Sequence, residues 1–378
     1  MSAIVSEHSA DHLAVVRLLG LPALGPRRLL SLIRNDRPVD VMTSILARRV
    51  ARPFDEFAST WNDELARDLL ERSDESIVEL LADTNVLVFG APSYPERLLH
   101  DADPPPALFV RGDPARLGRI AVAVVGTRHT TEYGRTVASE LGRDLTRAGV
   151  DVVSGLALGV DAAAHRGSLA ALQTGSERRG APIAVVASGL DVVYPRANGG
   201  LWKAVADHGL VIGESPPGTA PDRFRFPLRN RIIAGLAHVV VVVESRASGG
   251  SMITVDEALK RDVPVMAVPG ATTTRASEGT NQLLRDGALV ATSADDVLTV
   301  LGMELMGSAS CVRDLRVTPR GVDAEVLAVF DMSPLDLDQV VSACASRSLG
   351  EVALSLGRLE SWGWLRHTSG WFERITAV

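Results

Sequence analysis

Cysteine is almost missing from this chain: Cys311 and Cys344 stand alone in 378 residues, without CxxC spacing, which excludes a disulfide framework and offers no zinc pattern. Long apolar runs are missing too. None approaches the roughly 20 residues that span a bilayer, and the opening MSAIVSEHSADH lacks the basic and apolar regions of a signal peptide. The expectation is a soluble, cytoplasmic protein with no membrane contact. Positive charge is not in excess either. The net charge is −7, with 13 acidic and 10 basic side chains in residues 1–80 and 8 against 4 in residues 323–378, which argues against binding nucleic acid through bulk charge. Neither GxGxxG after the first strand nor GxxxxGK[ST] anywhere is present, so a dinucleotide oxidoreductase and a P-loop ATPase are both disfavoured. His8 and His12 make a poor metal pair in a terminus, and no metal or other cofactor is expected.

What is present is 46% hydrophobic, enough for two or three domains. Residues 11–80, beginning DHLAVVRLLGLPALGPRRLLSLI, have apolar residues at helical spacing with breaks at Leu21-Pro22 and Gly25-Pro26. They predict an N-terminal helical domain, 1–85, of helix-hairpin-helix-like form. Gly90 to Asp113 reads as a Pro-rich connector ending in a short strand. Five apolar, β-branched runs follow, IAVAVVG, VDVVSG, PIAVVASG, HVVVVVES and VPVMAVPG, interleaved with amphipathic stretches such as YGRTVASELGRDLTRAG. That alternation predicts an α/β fold, a doubly wound, mostly parallel sheet over residues 86–300. A linker, 301–320, leads to residues 321–378, where three short helices and two strands about a Ser-Gly turn have the winged-helix order. The acidic excess there favours protein contact over DNA contact.

In doubly wound sheets ligands bind at the carboxyl ends of the strands. The first such loop, GTRHTTEYG, offers Gly126 for a tight turn with Thr127 and Arg128 at the rim. The second, SGLALGVDAAAH, has Gly155 and Gly159 for close backbone approach; Asp161 suits a helix N-cap and a ligand contact equally, while His165 is expected to hydrogen-bond locally. In ESRASGGSMIT, Gly249 and Gly250 expose amides, and Ser248, Ser251 and Thr254 add hydroxyls, as in an anion nest. Several such loops on one sheet edge point to a phosphate-bearing ligand.

RFRFPLRNRIIAG, Arg223 to Gly235, concentrates four arginines between the third and fourth of the five runs, in a segment that reads as a loop until NRIIAGLA begins. Aromatics make up only 4% of the chain, so two phenylalanines among these arginines stand out. Rings that stack bases and guanidiniums that hold phosphates suit single-stranded nucleic acid. The opposing reading puts Phe224 and Phe226 in the core and pairs the arginines with carboxylates.

VVGTRHTTEYGR, VVSGLALGVDAAAHRGSL, GLDVVYPRAN, FPLRNRIIAGLAHVVVVVES, GGSMIT and GTNQLLRDGA occur in that order across residues 90–298. Together they closely resemble the DNA processing protein A family of bacterial recombination mediators. The resemblance implies a non-enzymatic protein with a SAM-like N-terminal helical domain and an extended Rossmann-like domain, which binds single-stranded DNA, forms a homodimer and loads the RecA recombinase in natural transformation. By position the family's glycine-hydroxyl-arginine motif falls on Gly126, Thr127 and Arg128, its basic residue before phenylalanine on Arg223 with Phe226, and FPxRNR on Phe226, Pro227, Arg229, Asn230 and Arg231. Arg229 and Arg231 stay open between touching DNA and bracing the loop. SRASGGSMIT departs from the SGALIT common in relatives. A competing reading is a nucleotide-acting enzyme: GGSMITVDE faintly resembles the loop of phosphoribohydrolases, with Glu214 and Glu244 as its carboxylates. A third is an interaction protein whose terminal domains dominate.

Overall fold

The computed structural model describes residues 9–21, 24–47, 67, 70–81, 83–172, 179–302, 319–330, 334–368 and 370–374. Pro22, His8 of the weighed histidine pair, Cys311, Ser369 of the Ser-Gly turn and positions 303–318 of the linker lie outside them. The chain divides into two compact units, Met1–Leu305 and Met306–Val378.

The first unit opens with α1 (Ala10–Leu19), α2 (Pro26–Ile33), α3 (Pro38–Leu46) and α4 (Asp74–Leu81). Ser9 and His12 cap α1 reciprocally, and α2 and α3 both start on proline, whose missing N–H costs nothing there. Leu13, Val16 and Leu29 from these helices share one buried cluster with Val86, Phe109, Val186 and Val211 of the sheet. The helical segment is therefore packed onto the sheet by a common core.

The sheet region runs β1 (Asn85–Val88), α5 (Glu96–Leu99), β2 (Ala107–Gly112), β3 (Ala121–Val125), α6 (Glu132–Arg147), β4 (Asp151–Ser154), α7 (Val160–Leu172), β5 (Pro182–Val186), α8 (Gly199–His208) and β6 (Leu210–Gly213). It continues through α9 (Arg225–Leu236), β7 (Val239–Val242), α10 (Gly250–Leu259), β8 (Val265–Ala267), α11 (Glu278–Arg285), β9 (Leu289–Val290) and α12 (Ala294–Val300). Strand order is β1-β2-β6-β5-β4-β3-β7-β8-β9, with β3 to β9 mutually parallel and β1 and β2 antiparallel to their neighbours. Alternate residues of β3 enter opposite cores: Ala123 and Val125 meet Ile232 of α9, while Val122 and Val124 meet α6 and α7. Burial on both faces is why these strands are apolar at every position.

The chain walks outward from β3 through β4, β5 and β6, then returns to place β7 on the other side of β3. The order reverses between β3 and β7, which leaves a crevice at their carboxyl ends. Three strands of this sheet escape the sequence reading. β6 is only LVIG, joined directly to α8, and it puts the arginine segment after the fourth parallel strand instead of the third. β1 is four residues and β9 two, too short to show a period.

The second unit comprises α13 (Val322–Ala328), β10 (Leu335–Asp336), α14 (Leu337–Ala343), α15 (Leu349–Ser361), β11 (Leu365–Thr368) and β12 (Trp371–Arg374), with sheet order β10-β12-β11. Val326, Phe330, Val340, Val352 and Leu356 form its core, and capping boxes at Asp336 and Ser348 start α14 and α15. Among the described residues no helix is long and apolar enough to cross a membrane.

Candidate nucleic-acid interface

The crevice between β3 and β7 is shaped by backbone contacts that aim side chains outward. Thr127 N–H donates to the Glu244 carbonyl (2.7 Å), and the Thr127 carbonyl accepts from Val160 N–H (3.2 Å), so the Gly126–Arg128 turn is tied to the end of β7 and the start of α7. A Cβ on Gly126 would stand 2.8 Å from the Glu244 carbonyl oxygen and 2.6 Å from Val160 Cγ2, so only glycine fits. The Glu244 carboxylate, buried, accepts from Thr130 Oγ1 (2.8 Å), Thr131 N–H (2.9 Å) and Thr131 Oγ1 (2.5 Å) and holds the first turn of α6.

The turn so anchored leaves Arg128 exposed, its guanidinium 5.0 Å from the centre of the Phe226 ring, while Tyr194 packs on that ring at 5.6 Å. Behind this pair the cleft holds about 310 Å³. Its floor is Arg229. That side chain is 7% exposed, and its Nη1 donates to the carbonyls of Gly155 (2.7 Å) and Val185, while Nε donates to Asn230 Oδ1 (3.2 Å). A Cβ on Gly155 would lie 2.5 Å from the guanidinium, which explains glycine at that position. Burial lowers Arg229 to about 10, well above neutral, so it remains a charged group in the cleft floor.

Among the described residues Asp161 is the one carboxylate facing that cation. Its Oδ2 accepts from the amides of Gly155 (3.1 Å) and Ala157 (3.4 Å), burial pushes its pKa up and the Arg229 charge opposes the rise. It lies inside α7, past the N-cap position, and both lines the cleft and braces the turn before the helix. In that turn Leu156 has φ 54, a left-handed conformation costly for a branched residue, with Asn198 Nδ2 donating to its carbonyl (2.9 Å). His165 corrects an expectation. Neither of its buried ring nitrogens makes a hydrogen bond of normal geometry, and burial pushes the ring down to about 3 against an opposing pull from the Ser154 backbone, so it is neutral.

The third wall is the start of α10. Its N-cap, Gly249, supplies no side-chain cap, so the helix presents uncapped amides to the cleft. Ser251 Oγ donates to Ser245 Oγ (2.8 Å), and Asn230 Nδ2 donates to the Gly250 carbonyl (3.4 Å), joining α9 to α10.

Of the residues singled out from sequence, Gly126, Thr127, Arg128, Phe226, Arg229, Asn230, Gly249, Gly250, Ser251 and Thr254 line this one cleft. Gly155 lines the adjoining depression with Arg128, Tyr194 and Phe226. Arg223 and Ser248 are exposed but outside the lining. Arg231 is not brought to the cleft: its Nη2 donates to Glu214 Oε1 (2.5 Å), and its Nε faces Asp103 Oδ2 at 3.2 Å. The segment also corrects the loop expectation, since α9 begins at Arg225. Pro227 sits in its first turn, where proline forfeits no helical hydrogen bond. Sequence reasoning missed Arg246, exposed on the cleft wall, and Tyr194. Arg246 carried a readable signal, an arginine directly after a buried strand and before a glycine-rich turn, as at Gly126–Arg128.

Glu214 and Glu244 are not a pair. They follow β6 and β7, four strand spacings apart or about 19 Å, and each is committed to its own partners. Among the described residues no cluster of three or more potential ligands could hold a metal ion.

Fold and cleft together define a Rossmann-like α/β protein with a cationic, amide-lined cleft at the switch point. The chain belongs to the DNA recombination-mediator protein A family, whose model matches residues 85–302. It is 37% identical to the DNA processing protein DprA of Bacillus subtilis over 218 residues (57% of this chain, 71% of that protein). It is 34% identical to protein Smf of Escherichia coli over 290 residues, 75% of each chain. The crystal structure of DNA processing protein A from Streptococcus pneumoniae superposes with a TM-score of 0.63 at 30% identity, covering 78% of this chain and 98% of that one. DNA processing protein A from Helicobacter pylori, whose structure is described for its unique single-stranded DNA binding mode, superposes with a TM-score of 0.51 at 29% identity over 58% of this chain and 95% of that one.

Proposed function

We propose that this chain binds single-stranded DNA in the switch-point cleft without reading its sequence, and that it acts on the bound strand as a homodimeric recombination mediator that loads RecA. The observation that carries the reading is the Arg128–Phe226 pair at the mouth of a cleft floored by Arg229 and walled by the uncapped start of α10. Guanidiniums and amides meet phosphates, the ring meets a base face, and neither contact depends on which base is present. A duplex hides its base faces, so the ring favours a single strand. Arg128, Arg246, Phe226, Thr127 and the amides of Gly250 and Ser251 are assigned to the strand, with Arg223 at its flank; the Gly249 amide is already donated to the Arg246 carbonyl (3.0 Å). Arg229 holds the floor, and Arg231 belongs to the scaffold.

The recombination role is supported by family membership. For the second unit we infer a winged helix, from its order of helix, strand, two helices and hairpin, and a protein partner, from its acidic excess. A binding role, rather than nucleotide hydrolysis, is supported by the separation of Glu214 and Glu244.

Gel shifts with single-stranded and duplex oligonucleotides test the reading. The parent protein should prefer the single strand, and Arg128→Ala should weaken that complex about 10-fold. Equal affinity for duplex, or an Arg128→Ala protein that binds as tightly as the parent, sinks it.

A further inference from the structure

A second cavity, of about 430 Å³, lies across the start of α9 from the cleft, and its size is within the roughly 300–1,000 Å³ of small-ligand sites. Its walls come from three places: Leu21 and Pro26 around the α1–α2 turn, Ala187 and Ser215 after β5 and β6, and Phe224 and Leu228 of the arginine segment. Phe224 is 56% exposed, a high value for a ring in a chain this poor in aromatics. The Arg225 guanidinium stands 4.9 Å from its centre, with Nη1 donating to Ser215 Oγ (3.4 Å). This repeats, on the other side of α9, the Arg128–Phe226 pair of the cleft.

The two sites are continuous. Between them lies a smaller depression that shares Arg229 with both, Phe226 with the cleft, and Val186 and Ala187 with the second cavity. The run follows the carboxyl ends of the strands from β3 and β7 to β5 and β6, three strand spacings or about 14 Å.

We propose that the second cavity is a nucleobase site, so that a single strand of DNA runs from the cleft, over the start of α9, to a base compartment walled by the N-terminal helices. This inference rests on the single-stranded DNA reading above. The cavity's chemistry suits a base more than a phosphate. Its walls are more apolar than polar, Phe224 offers the stacking surface, and the one carboxylate in its lining, Glu214, is already paired with Arg231. Phosphate contact falls to its edge, to Arg225, which lines the cavity beside the ring, and to the exposed Arg223, outside the lining and two residues before it in the chain. A free mononucleotide has the same chemistry as one residue of a strand, so the test separates the two.

Affinity is measured for the parent and for Phe224→Ala with oligonucleotides from about 4 to about 16 nucleotides, the range of single-strand site sizes. A 2-aminopurine base at each position in turn reports stacking. Phe224 is exposed, so its removal leaves the fold intact, which circular dichroism verifies. The expected result is equal affinity for the shortest strands, about 10-fold weaker binding by Phe224→Ala for the longest, and one reporter position that stacks in the parent and not in the variant. Length-independent affinity ratios, or unchanged reporter quenching, overturn the inference. So does a deoxynucleoside monophosphate that displaces the long strand's reporter as well as the strand itself does, which would make the cavity a mononucleotide site. Unchanged DNA binding at all lengths with an altered oligomeric mass overturns it in favour of a protein contact. Failure of the parent to bind at any length defeats the single-stranded DNA reading itself.

Discussion

The two ends of the arginine segment have opposite fates. Arg223, Arg225 and the two phenylalanine rings sit at the start of α9 with solvent on at least one side, whereas Arg229 and Arg231, one turn further on, are buried and committed to protein acceptors. The latter two also point apart. Two residues along a helix is a rotation of about 200°, which sends Arg229 into the cleft floor and Arg231 to Glu214 and Asp103. Asp103 also takes the Arg27 guanidinium of α2 at 2.8 Å, so this back face of α9 is fastened to the N-terminal helices. Four positive charges adjacent in sequence are thus two kinds of group, one that can meet a ligand and one that holds the scaffold.

That contrast can be broken by mutation. The largest effect is expected for Arg231→Ala. It strands Glu214, whose pKa burial raises and Arg231 lowers, and should cost about 3–5 kcal/mol of unfolding free energy in denaturant titrations. Because the orphaned carboxyl can take up a proton, the loss should be smaller at pH 5 than at pH 8. Next is Gly155→Ala, whose Cβ must displace the Arg229 guanidinium from the cleft floor, at about 1–3 kcal/mol by the same measurement.

A smaller effect is expected from His165. Its folded pKa of about 3 is far below that of an unfolded histidine, so the unfolded chain binds the extra proton at mildly acid pH and stability falls as pH drops below about 6.5. Between pH 7.5 and pH 5.5 the loss should be about 1 kcal/mol, and His165→Gln should remove that part of the slope. A His165→Gln protein with the parent's pH dependence would show that the ring is protonated or hydrogen-bonded after all. The smallest stability effect, within about 0.5 kcal/mol, belongs to Arg128→Ala with Arg246→Ala, since both side chains are exposed.

Local patterns made much of this legible in advance. Valine-rich runs buried on both faces announce a parallel sheet, and glycine-rich turns after them mark its carboxyl edge, so most of the cleft was found as separate loops. What stayed hidden is non-local. Which face of α9 an arginine takes depends on where the helix starts, and the proline and glycine density before it disguised a start at Arg225. β6 is four residues without a period of its own, and pairing with β2 and β5 is what makes it a strand. Arg246 sat in view, but only the return of the chain beside β3 brings it opposite Arg128.

The central claim is that the exposed arginines around the switch point, and not the buried ones, meet the strand. Its most direct test is the salt dependence of single-stranded DNA affinity for the parent and for the Arg128→Ala, Arg246→Ala double variant. Removing one arginine from its phosphate should flatten the slope of log K against log salt by about 0.7, so the double variant should have a slope shallower by about 1.4, with its thermal stability unchanged. An unchanged slope in a folded double variant would contradict the account.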